Sequence, residues 1–316
     1  PEPDIDLGVG SGSHAVQTAE IMKRFEPVLD EEKPAAVLVV GDVNSTIACA
    51  LVSSKKHIPM IHVEAGLRSY DRNMPEEINR VLTDQISDLL FTTEKDAEEN
   101  LAKEGIDTSK VHFVGNVMID NLKQQLPRAT PVKDILTDVN LSESPWTNGF
   151  ALLTMHRPSN VDDPAILQRL LEVIAKISQQ LPVIFPVHPR TKKQIEEFKL
   201  QHLIESGNII TKEPLGYLEM LGLMANAKII LTDSGGIQEE STSLGVPCLT
   251  LRENTERPIT VTDGTNTIVG TDPQVILSAF EEIMKTGGKA GNIPEKWDGK
   301  AAERIVQFLE TWVQNS

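Results

Sequence analysis

The stretch KIILTDSGGIQEESTSLG, Lys228–Gly245, reads as a β-strand running directly into a helix. Its apolar start suits a buried strand, and the break at Asp233-Ser234-Gly235-Gly236 is followed at once by helical periodicity. Glycines at such a turn let a ligand approach the backbone, while the free amides and the positive helix end favour an anion. Ser234 can add a hydroxyl donor. Glu240, one helical turn past Gly236, can accept hydrogen bonds from a ribose diol. Taken alone, the motif is equally a plain strand–helix turn with a cap.

The same alternation runs outward in both directions. Strands are expected at Ala36–Val40, Met60–Val63, Leu90–Thr92, His112–Val114, Phe150–Thr154, Val183–Val187, Asn208–Thr211, Ile229–Leu231 and Cys248–Leu251. Amphipathic stretches between them predict helices, among them Ser45–Ser54, Glu76–Asp88, Ala165–Gln179, Lys193–Glu205 and Tyr217–Ala227. Strand–helix alternation implies parallel sheets covered on both faces. A chain of 316 residues suits two such domains. The polar stretch Asp134–Gly149 breaks the rhythm and is expected to link them, giving domains 1–146 and 147–316. A last helix, Ala301–Gln314, is expected to pack back on the first domain.

Composition narrows the function. With 40% hydrophobic and 24% charged residues the chain has a soluble globular balance. No apolar run approaches the ~20 residues that span a bilayer, and the opening residues do not resemble a signal peptide. A formal charge of −16 argues against nucleic acid and anionic membrane as partners, since both reward Lys and Arg clusters. It leaves room for a small phosphorylated ligand. Cys49 and Cys248 sit in apolar stretches and read as core thiols of a reducing cytoplasm. Gly8–Gly12 superficially matches a dinucleotide fingerprint, but no strand precedes it and Ser13 stands where the third glycine belongs, so no NAD is expected. Ser11 or Ser13 instead caps a helix starting near His14.

Further motifs fall at other strand ends. Gly41–Thr46, GDVNST, follows the strand VLVV; His62–Arg68, HVEAGLR, precedes Pro75–Arg80, PEEINR. Open α/β sheets carry their sites at the carboxyl ends of strands. Asp42, Glu64 and Glu76 are therefore expected to converge, and acids crowded in a partly dry cleft suit general acid and base roles. Individually each could be a cap or, like Glu77, an ordinary first-turn acid. Arg68 shares the loop after Glu64. Thr154–Pro158 brings His156 and Arg157 to a strand end, and Val187–Thr191 brings His188 and Arg190 to the next. These basic residues suit a diphosphate. No metal is expected: seven histidines are scattered, no CxxC occurs, and His62-Val-Glu64 lacks the cysteine pair of a zinc deaminase. Neither a GxxxxGK[ST] loop nor a GxSxG elbow is present.

Taken together, GDVNST, HVEAGLRS, PEEINRVLTDQISDLLFTTE, GNVMID, TMHRPSN, HPRT, TDSGGIQEE and LRENTERPITV resemble the non-hydrolysing UDP-N-acetylglucosamine 2-epimerases, in family order and over nearly the whole chain. The resemblance implies a glycosyltransferase-B-like arrangement of two Rossmann-like domains with the substrate in the interdomain cleft. It implies reversible conversion of UDP-GlcNAc to UDP-ManNAc without a cofactor, by anti elimination of UDP and re-addition through 2-acetamidoglucal. It assigns acid/base work to Asp42, Glu64 and Glu76. His156 falls beside the diphosphate, Ser234, Gly235 and Gly236 on the phosphates, Glu240 on the ribose, and Arg257 on the diphosphate side. Leu215 and Met220 fall against the uracil, where some members carry an aromatic residue instead of Met220. A cytoplasmic homodimer serving cell-surface polysaccharide synthesis is the family expectation. Family members open with a further strand and a GTRPE-type loop; this sequence is read as starting after both. A glycosyltransferase of the same fold, a hydrolysing epimerase and a non-catalytic UDP-sugar-binding protein are the alternatives.

Overall fold

The computed structural model describes residues 3–137 and 146–315. The chain forms two compact units, one of Pro1–Val117 with Lys300–Ser316, the other Met118–Gly299. The division falls at Val117/Met118, not within the polar stretch 134–149 expected as the linker, of which 138–145 lie outside the described residues.

In the first unit, strands β1 (Val37–Val40), β2 (Met60–Ala65), β3 (Leu89–Thr92) and β4 (Val111–Phe113) form a parallel sheet in the order β1-β2-β3-β4. One face buries Ile61, Val63, Leu89, Phe91 and Val114 against Ile305, Phe308, Leu309 and Trp312. The last four belong to the helix Ala301–Asn315, whose amphipathic stripe thus completes this sheet's core. At the amino end, Ser13 caps the helix His14–Glu32 through Val16 N. Gly66, at φ 79°, lies so close to the helix Lys95–Lys103 that a Cβ would stand 2.5 Å from Ala97 O. Only glycine fits there.

The second unit holds β5 (Ala151–Thr154), β6 (Val183–Pro186), β7 (Ile209–Lys212), β8 (Ile229–Thr232), β9 (Cys248–Thr250) and β10 (Asn266–Ile268). They form a six-stranded parallel sheet in the order β10-β9-β8-β5-β6-β7. Strands β6, β8 and β9 are buried at every position, which is why they read as unbroken apolar runs. The chain builds outward from β5 on one side, then returns beside it as β8 and builds the other way. That reversal makes the β5/β8 boundary the topological switch point, outside whose carboxyl ends ligands bind in doubly wound sheets.

Nine expected strands are present with ends shifted by no more than two residues. Two differences have physical causes. The helix expected over Lys193–Glu205 is two, Pro189–Glu197 and Gln201–Glu205, because Lys199 adopts a left-handed φ of 57° that ends the first. Strand β10 spans three residues, too short to show a period.

Candidate active site

At the rim of the first sheet, the loop after β1 carries Asp42, and the helix Pro75–Gln85 holds it in place. Arg80 donates to Asp42 Oδ2 through Nε (3.1 Å) and Nη2 (2.6 Å), and Asn79 Nδ2 donates to the Asp42 carbonyl (2.9 Å). The remaining arm of buried Arg80 reaches Glu77 Oε2 at 2.5 Å. Glu77 is not the ordinary solvated first-turn acid that its position suggested. It is buried and accepts from Ser69 N and Oγ (both 3.0 Å) and Tyr70 N (2.8 Å), tying down the following loop. One helix thus orients both a strand-end carboxylate and a loop through side chains at i, i+2 and i+3.

Glu64 is the penultimate residue of β2, where the pairing with β3 shifts register between Val63 and Ala65. It has φ 69°, a left-handed conformation that costs a non-glycine residue on the order of 1–3 kcal/mol. Such strain at a strand end marks functional positions. Its carboxylate lies over Gly41: a Cβ there would stand 3.7 Å from Glu64 Oε2. Glu76, half-buried, lines a cavity of about 160 Å³ with Val43, Asn44, Asn79, His14 and Gln17. The structure therefore gathers Asp42, Glu64 and Glu76 around the single loop Gly41–Asn44.

Beneath this rim lies a fully buried ionic layer. His62 Nδ1 meets Asp84 Oδ1 at 2.6 Å and its Nε2 meets Gly41 O at 2.8 Å. Asp84 Oδ2 accepts from Gly66 N (3.1 Å) and Arg68 Nη2 (2.7 Å). Arg68, expected to face a ligand, is buried in this layer instead. It donates to Glu104 through Nε (2.8 Å) and Nη2 (2.6 Å) and to Leu67 O through Nη1 (2.7 Å), leaving the guanidinium committed to structure.

The second sheet's rim is cationic. Asp233, fully buried after β8, accepts from His156 N (2.9 and 3.1 Å), Arg157 N (2.9 Å) and Asn160 Nδ2 (3.2 Å), and its Oδ1 holds His156 Nδ1 at 3.0 Å. Burial alone would raise the Asp233 pKa, but the hydrogen bond and charge of His156 and the amides of Arg157 and His156 pull it below the ordinary range. The contact to Asp233 fixes the orientation of the His156 ring and leaves Nε2 as the ring nitrogen for a ligand. Sequence reading passed over Asp233, although it lies inside the deciding stretch.

His188, 5.4 Å away between ring centroids, behaves oppositely. It caps the helix Pro189–Glu197, its Nδ1 accepting from Arg190 N at 3.2 Å. An accepting Nδ1 fixes the neutral tautomer, and burial and the charge of His156 both push the ring's pKa down. Arg190 points to Asp162, with Nε 2.8 Å from Oδ1 and a second contact through Nη2.

Ser234 stands at the N-cap of the helix Gly235–Leu244, and its hydroxyl makes no cap bond; its amide donates to Thr232 Oγ1 (3.0 Å). The first helical amides are therefore available to an anion. Gly235 is required from below: a Cβ would stand 2.5 Å from Glu256 Oε1. Burial would raise the Glu256 pKa, but the charges of Arg257 and Arg252 bring it to about 2. Arg257, expected on the diphosphate, is buried in this same layer with Nε 2.8 Å from Glu239 Oε1. Glu240 is buried and accepts from Tyr217 OH at 2.8 Å; burial raises its pKa, which this hydrogen bond only partly offsets. Leu215 and Met220 are half-buried against the cluster around Leu221 and Ile230.

Among the described residues no three His, Cys, Asp or Glu side chains are grouped to hold a metal ion, and no helix is long and apolar enough to cross a membrane.

Comparison with known proteins agrees with this picture. Residues 1–310 match the family described as UDP-N-acetylglucosamine 2-epimerase. The UDP-N-acetylglucosamine 2-epimerase of Methanococcus maripaludis is 45% identical, covering 98% of this chain and 84% of its own length. The UDP-2,3-diacetamido-2,3-dideoxy-D-glucuronate 2-epimerase of Pseudomonas aeruginosa is 40% identical with the same coverage. Among solved structures, the Methanocaldococcus jannaschii UDP-GlcNAc 2-epimerase in complex with UDP-GlcNAc and UDP is 45% identical. It covers 98% of this chain and 85% of its own, with a TM-score of 0.85. The Neisseria meningitidis UDP-GlcNAc 2-epimerase bound to UDP-GlcNAc is 33% identical, covering 98% of this chain and 86% of its own, with a TM-score of 0.88.

Proposed function

Because this chain belongs to the UDP-N-acetylglucosamine 2-epimerase family, we propose that it is an isomerase interconverting UDP-N-acetylglucosamine and UDP-N-acetylmannosamine by elimination and re-addition of UDP. No carbonyl acidifies the proton at C2, so its loss must be coupled to departure of a good leaving group. A carboxylate removes the C2 proton, the C–H electrons form the C1=C2 bond, and the C1–O bond breaks with its pair on UDP. Re-addition of UDP to C1 with protonation of C2 from the opposite face completes the inversion.

Asp42, Glu64 and Glu76 share the acid/base steps. His156, held by Asp233, the Ser234 hydroxyl and the amides of Gly235 and Gly236 stabilise the departing diphosphate. Glu240 takes the ribose; Leu215 and Met220 flank the base. In this reading the first unit supplies the chemistry and the second binds the nucleotide, and the protein is a cytoplasmic homodimer. The observation that carries the reading is the gathering of Asp42 and Glu64 at two adjacent strand ends, with Glu76 in the helix Pro75–Gln85 lining the same loop and Glu64 in a strained left-handed conformation.

The test is incubation with UDP-GlcNAc in deuterated water. Epimerisation places deuterium at C2 of both UDP sugars. A transferase leaves C2 unlabelled, a hydrolysing enzyme accumulates free N-acetylmannosamine, and a binding protein gives UDP affinity with no exchange; any of these overturns the proposal. Parallel assay of UDP-2,3-diacetamido-2,3-dideoxy-D-glucuronate decides the sugar. Sedimentation measures the dimer.

A further inference from the structure

His62 has no solvent exposure, yet neither of its ring nitrogens is idle. Nε2 lies 2.8 Å from the Gly41 carbonyl, which can only accept. Nδ1 lies 2.6 Å from Asp84 Oδ1. The other oxygen of Asp84 accepts from the Arg68 guanidinium at 2.7 Å and the Gly66 amide at 3.1 Å, so the side chain serves as an acceptor on both sides. Both ring nitrogens therefore face acceptors, and an imidazole can satisfy two acceptors only by carrying two protons.

We propose that His62 is a positioning residue, a permanently protonated imidazolium that pins the loop bearing Asp42 through the Gly41 carbonyl and supplies a buried positive charge that acts on Glu64. This rests on the epimerase reading above for what Glu64 does, but the charge state of His62 stands on its own. Every group facing the ring supports it. The helix Pro75–Gln85 contributes Asp84, the loop after β1 the Gly41 carbonyl, and β2 itself Glu64, whose charge acts on the ring. The cation Arg68 is shared between Asp84 and Glu104. The flanking strands pair Val39 and Leu90 with His62, neither of them titratable. Burial works against the charge, but the hydrogen bond and charge of Asp84, the Gly41 carbonyl and Glu64 outweigh it and hold the pKa above the usual histidine value.

The arrangement has a chemical purpose. A base that must attack a weakly acidic C–H has to be ionised at working pH while sitting in a partly dry site, where desolvation would protonate it. A solvated lysine could supply a counter-charge but would compete as a proton donor to the sugar. A cation sealed beneath the strand end, with both protons spoken for, cannot.

Two measurements test this. The first is the nitrogen-15 spectrum of histidine-labelled wild-type protein at pH 8, with His62 assigned by the signal lost in His62→Gln. Two protonated ring nitrogens are expected; one unprotonated nitrogen overturns the proposal, whatever the enzyme's activity. The second is the pH profile of kcat/KM for His62→Gln and His62→Asn. With the counter-charge gone, the acid limb should move up by about 1 pH unit, so below the limb kcat/KM falls about tenfold relative to wild type at the same pH, with UDP affinity unchanged. An acid limb in its wild-type place, in a variant that folds and turns over, reduces His62 to a core residue. If neither variant folds, the spectrum of the wild-type protein, with His62 assigned from its contacts to Gly41 and Asp84, still decides.

Discussion

The two sheets present opposite rims built on one plan. Around Gly41–Asn44 the first displays carboxylates, and the groups directly behind them are buried cations: Arg80 on Asp42, with His62 and Arg68 in the layer below. Around Ser234–Gly236 the second displays His156 and the first helix amides, backed by buried acidic residues: Asp233, Glu256 and Glu239. Asp42 and His156 are each oriented by a buried partner, Arg80 and Asp233. The lesson is that a charged residue in a site motif has two possible places, on the rim or one layer beneath it. Residues beneath should fail differently from residues on the rim.

The largest effect belongs to the acidic rim. Glu64→Gln keeps the shape but cannot accept a proton, so kcat should fall by roughly 10²–10⁴-fold, with UDP affinity by calorimetry within a few-fold. Retained turnover would remove Glu64 from the chemistry. A fall in melting temperature of many degrees would recast it as structural.

Next comes the anion behind the cationic rim. Asp233→Asn loses the charge that holds His156 Nδ1 and leaves an amide facing the backbone amides of His156 and Arg157. A loss of about 10²–10³-fold in kcat/KM is expected, as for removal of one donor that stabilises a developing anion, together with a marked loss of stability. Measured against Glu64→Gln, this variant should weaken UDP binding as well as turnover. If it leaves UDP affinity intact, His156 is not on the diphosphate.

The buried layers should answer to pH and heat. Glu256 titrates at about 2 in the folded protein, below its ordinary range near 4.5. Because its folded pKa is depressed, its stabilisation is fully present above pH 4.5 and is lost as pH falls from there through about 2. The full contribution is on the order of 3 kcal/mol. Glu256→Gln should therefore lower the melting temperature at pH 7 and flatten its dependence on acid between pH 4.5 and 2. Arg68→Ala should behave alike in the other unit, costing about 3–5 kcal/mol by stranding Asp84 and Glu104 while KM of the surviving enzyme changes little.

How much of this was legible in sequence follows the same division. The strands were visible because complete burial demands unbroken apolar runs, as in Val183–Pro186 and Ile229–Thr232. The strand-end placement of Asp42, Glu64, His156 and Ser234 then followed from the alternation alone. The layer beneath did not. Nothing in HVEAGLR distinguishes an outward Arg68 from one folded under onto Asp84, because that depends on a contact 16 residues away. Arg257 is likewise turned onto a residue distant in sequence, Glu239 in the helix Gly235–Leu244. Asp233, Glu77 and Tyr217 were overlooked because their work is holding other residues. The spacing from Glu77 to Arg80 was the one available signal, since an acid and a base three apart share a helix face.

Arg190 gives the smallest expected effect and the sharpest discrimination between rim and layer. It sits beside His188 on the cationic side, so its charge suits a diphosphate, yet its guanidinium is turned onto Asp162 in an exposed pair. Exposed pairs are worth about 0–1 kcal/mol, so Arg190→Ala should leave the melting temperature nearly unchanged. Its effect on KM then reports on ligand contact without a folding term. If the pair persists during turnover, KM should stay within about twofold, and the Asp162→Ala variant should match it. If the substrate draws Arg190 away from Asp162, Arg190→Ala raises KM while Asp162→Ala, by freeing the guanidinium, lowers it. Opposite signs from the two halves of one ion pair would place Arg190 on the rim; equal and small effects would leave His156 as the principal cationic side chain there.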